Sequence, residues 1–254
     1  MDGLIYSKLL ETKEKLGAGF LMLIDPDKIP EENYLALADS ADDCGVDAIL
    51  VGTSFMLSVD FPKAIKKIKE RTDKPVIIFP GSFAQINPFA DAILFSSLLS
   101  GRNPVYLIEE QIKGAPLIKR CDIEPIPTGY LLIESGAITS VLYISGTQPI
   151  PREKADIACA HALAAQYMGM KLVYLEAGSG AEQPIPTKMV QYVSSYIDIP
   201  VIVGGGLKTP ESCAEKVNAG ASFIVVGNSI EKKFDPSYIK DLASAVHSKG
   251  KISV

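Results

Sequence analysis

The stretch PVIVGGGLKTPESCAEKVNAGASFIVVGNSI, residues 200–230, contains two apolar strands and the helix that joins them. Pro200–Val203 and Phe223–Val226 are short apolar runs, and each of them leads directly into glycine. Pro210–Ala219, between the two runs, carries apolar side chains at helical spacing. Strands whose successive residues are all apolar are buried on both faces, which is typical of parallel strands covered by helices. The stretch therefore predicts a βαβ unit.

The same alternation extends over the whole chain. Predicted strands lie at 20–24, 47–51, 75–79, 91–95, 126–133, 171–175, 200–203 and 223–226. Predicted helices lie at 1–17, 31–44, 62–71, 104–114, 153–168, 187–196, 210–219 and 236–248. Such an alternation permits a closed barrel or a doubly wound sheet. Eight units in 254 residues favour a (β/α)8 TIM-type barrel, for which about 250 residues are typical. No linker composition divides the chain, so we predict one domain over residues 1–254.

Two segments depart from a regular barrel. Residues 80–90 separate the third and fourth strands and contain Pro80, Gly81 and Pro88. A crossover helix with its turns needs a dozen or more residues, so the third outer helix is predicted to be missing or vestigial. Residues 134–151 predict an irregular insertion with β-rich pieces at 140–144.

The composition excludes several classes of protein. A net charge of −5 and a pI near 5.2, with no basic face, exclude a nucleic-acid partner. The four cysteines are far apart and predict reduced packing residues, and no metal-ligand spacing appears among cysteine and histidine. No apolar run approaches the roughly 18 residues of a membrane span. These features predict a cytoplasmic protein without a transmembrane segment.

Three glycine-bearing stretches follow consecutive strands. They are Tyr174–Gly180 after the sixth strand, Gly204–Gly206 after the seventh and Gly227–Ser229 after the eighth. Glycine lets backbone N–H groups approach a phosphate closely, and barrels commonly bind phosphate after strands seven and eight. Ser179 and Asn228 can add side-chain hydrogen bonds. The sequence therefore predicts an anion site, although each stretch alone is also compatible with a tight turn.

Glu176 lies within the first of these stretches. A carboxylate beside a phosphate would repel it unless the carboxylate faces another group, such as a hydroxyl. Glu176 is therefore a candidate general base for a substrate alcohol, and the alternative is an ordinary carboxylate in water.

Asp25 ends the first strand, and Thr53 and Ser54 follow the second. A carboxylate and a hydroxyl suit Mg²⁺, which takes one or two carboxylates together with water and substrate phosphates. In the alternative interpretation, Asp25-Pro26-Asp27 caps the following helix, with Asp27 as the better capping residue. The residues alone do not separate the two interpretations.

Through most of its length the chain resembles the geranylgeranylglyceryl phosphate synthases and their bacterial heptaprenyl relatives. The resemblance rests on LIDPDK (23–28), DAILVGTS (47–54), PIPTGY (125–130), YLEAGSG (174–180), VGGG (203–206) and VGN (226–228). It implies a modified barrel that lacks the third outer helix. It also implies a prenyltransferase that joins sn-glycerol 1-phosphate to a polyprenyl diphosphate, geranylgeranyl diphosphate above all, through an ether bond.

The resemblance also implies roles for individual residues. Asp25 and Ser54 would bind the Mg²⁺ that holds the diphosphate, and Glu176 and Asp25 would be catalytic. The family often has Val-Gly-Gly-Ser where this chain has Val-Gly-Thr-Ser, so Thr53 is a second candidate for the hydroxyl ligand. Glycerol 1-phosphate would lie on Tyr174, Leu175, Glu176, Ala177, Gly178, Ser179, Gly180, Gly205, Gly206, Gly227 and Asn228. A homo-oligomer, either dimer or hexamer, is expected, and the lipid product can pass to the membrane.

The prenyl chain needs a long apolar groove, which we predict on the helix-poor side around 79–89. Candidate lining residues, each equally compatible with ordinary core, are Phe83, Phe89, Phe95, Leu98 and Leu99.

Two other functions fit a phosphate-binding barrel. One is a phosphosugar isomerase or aldolase, but an aldolase usually needs a lysine on a strand, and no predicted strand interior carries one. The other is a non-catalytic barrel that senses a phosphate compound. Binding alone would give no role to Asp25, Ser54 and Glu176 together.

Overall fold

In the computed structural model, which describes residues 3–57 and 60–247, eight parallel strands pair in chain order and close into a barrel. The strands are β1 (Gly19–Ile24), β2 (Ala48–Val51), β3 (Val76–Ile78), β4 (Ala92–Leu98), β5 (Glu124–Leu132), β6 (Leu172–Glu176), β7 (Val201–Gly204) and β8 (Phe223–Val226). The barrel closes where β1 pairs with β8, with Gly19 opposite Phe223. The predicted TIM-type fold is confirmed.

Helices surround the barrel on the described residues. They are α1 (Leu4–Leu16), α2 (Glu31–Ser40), α3 (Phe61–Lys69), α4 (Glu110–Cys121), α5 (Ser140–Ser145), α6 (Ala155–Tyr167), α7 (Thr187–Tyr196), α8 (Pro210–Asn218), α9 (Asn228–Lys233) and α10 (Pro236–Val246). The ends of the predicted helices at 1–2 and at 248 lie outside the described residues. No helix in the described ranges is both long and apolar enough to cross a bilayer.

Two apolar layers hold the strands in place. On β1, Phe20 and Met22 pack in the layer between strands and helices, whereas Leu21 packs in the barrel interior. The same period of two continues on β6, where Leu175 faces the helices and Tyr174 faces the interior. This alternation decides which side chains at the strand ends can reach the site.

The helix α1 closes the N-terminal end of the barrel. Its residues Ile5, Tyr6 and Leu9 pack with the interior layer. The Glu124 carboxylate at the start of β5 accepts the backbone N–H groups of Ile5 at 2.7 Å and of Tyr6 at 2.9 Å. A carboxylate at this end also complements the positive end of the helix dipole.

The missing third outer helix is confirmed. Only a 3₁₀ turn, Phe83–Gln85, lies between β3 and β4. The buried Gln85 side chain supports this connection, because its amide donates to the Thr53 carbonyl at 2.9 Å and accepts the Gly81 N–H at 2.8 Å. One side of the barrel is therefore covered by a loop.

The insertion between β5 and α6 corrects one prediction. Residues 140–144 were expected to be β-rich, but they lie in helix α5. Val141 and Leu142 pack against the barrel-interior layer, while Tyr143 is exposed, so the apolar run forms a one-sided helix. Gly146, at φ +60°, ends it.

Two further helices differ from the prediction. Helix α4 continues past Gly114 to Cys121, although it contains Pro116. Pro116 removes the donor for the Ile112 carbonyl, but both residues are exposed, so water can satisfy that group. Helix α9, at 228–233, was not predicted because its sequence begins at the glycine stretch after β8.

Candidate active site

A cleft of roughly 500 Å³ opens at the C-terminal ends of the strands. Its lining combines the glycine loops after β6, β7 and β8 with apolar side chains beside β3 and β4. The apolar part includes Phe79, Phe83, Ile86 and Phe95. A polar, glycine-rich surface and an apolar groove thus share one cavity, at the end of the barrel where TIM-barrel enzymes carry their active sites.

Glu176 ends β6 and points into the cleft, with only 5% of its surface exposed. Burial raises the pKa of its carboxyl to about 7, and hydrogen bonds from the Gly178 and Ala177 backbones and from Tyr174 oppose that rise only in part. The Gly178 N–H donates to Oε1 at 2.6 Å. Glu176 is therefore a carboxylate that can accept a proton near neutral pH, as a general base must.

The chain passes very close to Glu176 at Gly205. A Cβ atom at this position would lie 2.4 Å from Glu176 Oε1 and 2.8 Å from the Gly178 nitrogen. Gly205 also adopts φ +82°, in the left-handed region that side chains disfavour. Only glycine lets the loops after β6 and β7 pack together around the carboxylate.

Tyr174 forms part of the cleft floor inside the barrel. Its ring stacks on Phe79, with centroids 5.1 Å apart, and contacts Tyr130 at 5.5 Å. Its hydroxyl is near enough to Glu176 to lower that carboxyl's pKa. Even so, Tyr174 Oη has no partner at hydrogen-bonding geometry in the described part of the chain. The hydroxyl therefore lies fully buried at the base of the cleft.

Asp25 lies at the end of β1 and is 3% exposed. Its Oδ2 pairs with Lys28 Nζ at 2.9 Å, and its Oδ1 accepts the Asp27 N–H at 3.2 Å. The Asp25 N–H in turn donates to Glu231 Oε1 at 2.8 Å. The carboxylate is thus held in the cleft wall, next to one lysine.

The helix-capping interpretation of this segment is wrong. The N-cap of α2 is Pro30, and no side chain caps it. Asp27 instead accepts the Leu57 N–H at 2.8 Å, which connects the loops after β1 and β2.

Thr53 and Ser54 both line the cleft. The buried Thr53 hydroxyl donates to the Phe55 carbonyl at 3.3 Å, and the Thr53 carbonyl accepts from Gln85. Thr53 is therefore engaged within its own loop, which favours Ser54 as the hydroxyl available to a ligand.

The described residues contain no cluster of three or more histidine, cysteine or acidic side chains that could hold a metal ion. Asp25 and one neighbouring hydroxyl nevertheless fit Mg²⁺, which often takes one or two carboxylates and completes its shell with water and substrate phosphates. Such an ion would take most of its ligands from water and from the substrate.

Most of the predicted anion-binding residues meet in this cleft. Ser179 Oγ lies 3.2 Å from the Asn228 side chain and 3.0 Å from Lys28 Nζ. The predicted residues that line the cleft are Tyr174, Glu176, Gly178, Ser179, Gly180, Gly205, Gly206, Gly227 and Asn228. Leu175 and Ala177 do not, because their side chains pack in the helix-facing layer. They can contribute only backbone atoms.

Sequence reasoning missed several cleft residues. Lys208, Lys232 and Glu231 line it, and the last two lie on the unpredicted helix α9. Lysines at this rim favour anionic ligands. Among the predicted prenyl contacts, Phe83, Phe95 and Leu98 line the cleft, whereas Phe89 and Leu99 do not.

Replacing Glu176 by glutamine is expected to stabilise the fold in a pH-dependent way. The native carboxyl keeps its proton up to a pKa of about 7, whereas the unfolded one loses it near 4.5, so native stability falls as pH rises between these values. Glu176→Gln removes that loss. The gain in unfolding free energy should be near zero at pH 4 and about 3 kcal/mol at pH 8, measured by denaturant titration. The exposed Glu153→Gln should show no such trend, and a gain independent of pH would contradict the expectation.

The sequence of this chain is similar to those of known proteins. A model of the PcrB family matches residues 10–246. A geranylgeranylglyceryl phosphate synthase from Chitinophaga pinensis is 43% identical over 248 residues, 98% of each chain. One from Thermococcus kodakarensis is 48% identical over 229 residues, 90% of this chain and 88% of that protein.

A solved structure of a geranylgeranylglyceryl phosphate synthase is also similar to this chain. The (S)-3-O-geranylgeranylglyceryl phosphate synthase of Thermoplasma acidophilum, in complex with its substrate sn-glycerol-1-phosphate, superposes with a TM-score of 0.90 at 36% identity. The match covers 98% of this chain and 100% of that one. Tryptophan synthase from M. tuberculosis, at 11% identity and a TM-score of 0.60 over 97% and 100% of the chains, shares the fold alone.

Proposed function

The chain belongs to the PcrB family, and from that membership we propose that it is a prenyltransferase joining sn-glycerol 1-phosphate to a polyprenyl diphosphate, geranylgeranyl diphosphate in particular. The products are geranylgeranylglyceryl phosphate and diphosphate. The observation that carries the proposal is that one cleft combines glycine loops, an apolar groove and a buried base, Glu176. The four free cysteines suit the reducing cytoplasm that we propose as its location.

The glycine loops orient the acceptor. In this proposal the phosphate of glycerol 1-phosphate lies against Gly206, Gly227 and Asn228, and Ser179 and Tyr174 add hydroxyl contacts. Glu176, in the same cleft, accepts the proton of the attacking hydroxyl as the new C–O bond forms and the bond from the prenyl carbon to diphosphate breaks. Positioning two reactants in this way can supply about 7–11 kcal/mol of the barrier.

The donor side of the cleft would require Mg²⁺. Asp25 and Ser54 would hold it, and when bound it would neutralise charge on the departing diphosphate. The prenyl chain would lie on Phe83, Ile86 and Phe95, which line the side without an outer helix. Their apolar surface excludes water from the reacting carbon.

The aldolase alternative receives no support from the site. The cleft lysines, Lys28, Lys208, Lys232 and Lys233, lie on loops or on α9, and none lies on a strand. A Schiff base formed from a strand inside the barrel therefore has no candidate residue among the described cleft residues.

The test is product formation from labelled sn-glycerol 1-phosphate and a panel of prenyl diphosphates. We expect label in the organic phase, with an ether-linked product in its mass spectrum and the highest yield for one chain length. A protein that binds glycerol 1-phosphate but transfers no prenyl group of any length would instead be a sensor or an isomerase.

Substitution of Gly114 is expected to change the chain length of the prenyl diphosphate that the cleft prefers. It is buried on α4 and lines the apolar side of the cleft, where an added Cβ would lie 2.9 Å from Ile86 Cδ1. Gly114→Leu is expected to fill the groove and to shift the best donor to a shorter prenyl diphosphate. The measurement is kcat/KM across the panel. Ala115→Leu adds bulk to an exposed position of the same helix and should leave the preference unchanged; an unchanged profile in Gly114→Leu would place the chain elsewhere.

We also propose that the chain forms a homo-oligomer, a dimer or a hexamer. Several apolar side chains of the described residues are exposed and are available for such a contact. They include Ile108, Ile112, Ile138, Tyr143 and Tyr167. Light scattering should give two or six times 27.3 kDa, and a monomer mass would contradict the proposal.

A further inference from the structure

Lys28 connects the two halves of the cleft. Its ammonium lies 2.9 Å from Asp25 Oδ2, on the side proposed for the metal and the diphosphate. The same ammonium donates to Ser179 Oγ at 3.0 Å, on the loop proposed for glycerol 1-phosphate. Ser179 in turn pairs with Asn228 at 3.2 Å. The Lys28 ammonium therefore contacts both Asp25, which is proposed to meet the cation, and Ser179, which is proposed to meet the substrate phosphate.

The surroundings of Lys28 allow it to change partners. The Asp25 side chain is 5% exposed and needs a positive partner when it is charged. The Lys28 side chain is 43% exposed, and a lysine is a compact charge on a flexible stem. Asp25 is also flanked by Glu231, which accepts its backbone N–H, so a second carboxylate adds negative potential at the same place. Loss of the Asp25 charge would thus release Lys28 toward the Ser179 loop.

We propose that Lys28 is a counter-ion shared by both subsites. It neutralises Asp25 in the free protein, and it moves to the phosphate beside Ser179 and Asn228 when a divalent cation takes over the Asp25 carboxylate. The inference rests on the proposed function, because it assumes that glycerol 1-phosphate binds at the Ser179 loop. It predicts that cation binding at Asp25 and phosphate binding at Ser179 strengthen each other, and such coupling must be reciprocal.

A metal-free experiment tests this transfer of charge. Binding of sn-glycerol 1-phosphate is measured by calorimetry, with chelator present, for the wild type, Asp25→Asn, Lys28→Met and the double variant. Asp25→Asn imitates neutralisation of the carboxylate, so it should tighten binding by about three- to fivefold, the range of a partly exposed ion pair. Lys28→Met should weaken binding, and in its background Asp25→Asn should change the affinity by less than about twofold.

Two results would overturn the inference while leaving the proposed function standing. One is an equal effect of Asp25→Asn in both backgrounds, because the change would then be a general loss of negative charge. The other is no effect in either background. Absence of glycerol 1-phosphate binding to the wild type would overturn both proposals together.

A second measurement does not depend on Asp25→Asn folding normally. Millimolar Mg²⁺ should tighten glycerol 1-phosphate binding to the wild type and to Lys28→Arg, which keeps the charge. It should have little effect on Lys28→Met, whose unfolding midpoint is measured in parallel to confirm that the variant is folded, because the change removes the lysine partner of the nearly buried Asp25 carboxylate. Equal Mg²⁺ effects on all three proteins would contradict a role for Lys28.

Discussion

Glu176→Gln is expected to lower kcat by about 10²- to 10⁴-fold, the usual contribution of a general base. Glutamine keeps the size of the side chain and can still accept the Gly178 N–H, but it cannot take the proton of the glycerol hydroxyl. The KM for glycerol 1-phosphate should change little, since the glycine loops bind the phosphate. Steady-state kinetics on purified protein measure both constants.

The pH profile of the wild type provides a second check on Glu176. Its pKa of about 7 means that the base is protonated at acidic pH, so kcat/KM should fall as pH drops below 7. Glu153→Gln, at an exposed position, should retain the wild-type profile. Normal turnover by Glu176→Gln would show that another group, or water alone, accepts the proton.

Asp25→Asn is expected to reduce prenyl transfer by about 10²- to 10³-fold, comparable to the loss of one electrostatic stabiliser of a transition state. The variant should also need much more Mg²⁺ for half-maximal activity, because the amide is a weaker ligand than the carboxylate. The measurement is transfer rate across a Mg²⁺ series.

Asp27→Asn is the matched control for Asp25. Asp27 lies two residues away and accepts the Leu57 N–H, and asparagine preserves that acceptor. This variant should retain most of the activity. A wild-type rate and Mg²⁺ dependence in Asp25→Asn would remove Asp25 from the metal site. Slower transfer combined with tighter glycerol 1-phosphate binding in Asp25→Asn would separate its role in chemistry from its pairing with Lys28.

The barrel could be predicted because most of its strands are runs of consecutive apolar residues, and several of them lead into glycine or polar residues. Parallel pairing brings those ends to one rim, so the sequence predicts that Asp25, Ser54 and Glu176 lie at the same end of the barrel. The missing outer helix could also be predicted from the sequence, because residues 80–90 are too few to form a crossover helix with its turns. Chain length and local pattern decide these features.

The other features of the site depend on the direction in which side chains point and on contacts between residues that are far apart in the sequence. Leu175 belongs to a motif stretch, but the period of two on β6 turns its side chain toward the helices. Glu231 reaches the backbone of Asp25 from 206 residues further along the chain, and no local pattern indicates that contact. The segment that forms helix α5 was predicted to be β-rich because its β-branched and aromatic residues favour strands, whereas packing on the barrel makes it helical.

The proposed function is tested most directly by the transfer of a geranylgeranyl group to labelled sn-glycerol 1-phosphate, measured with Mg²⁺ present, chelated and restored. We expect a lipid-soluble product that disappears on chelation and returns when Mg²⁺ is added back. Transfer that persists without divalent cation would contradict the proposed role of Asp25. No transfer under any condition, despite measurable binding of glycerol 1-phosphate, would contradict the prenyltransferase itself.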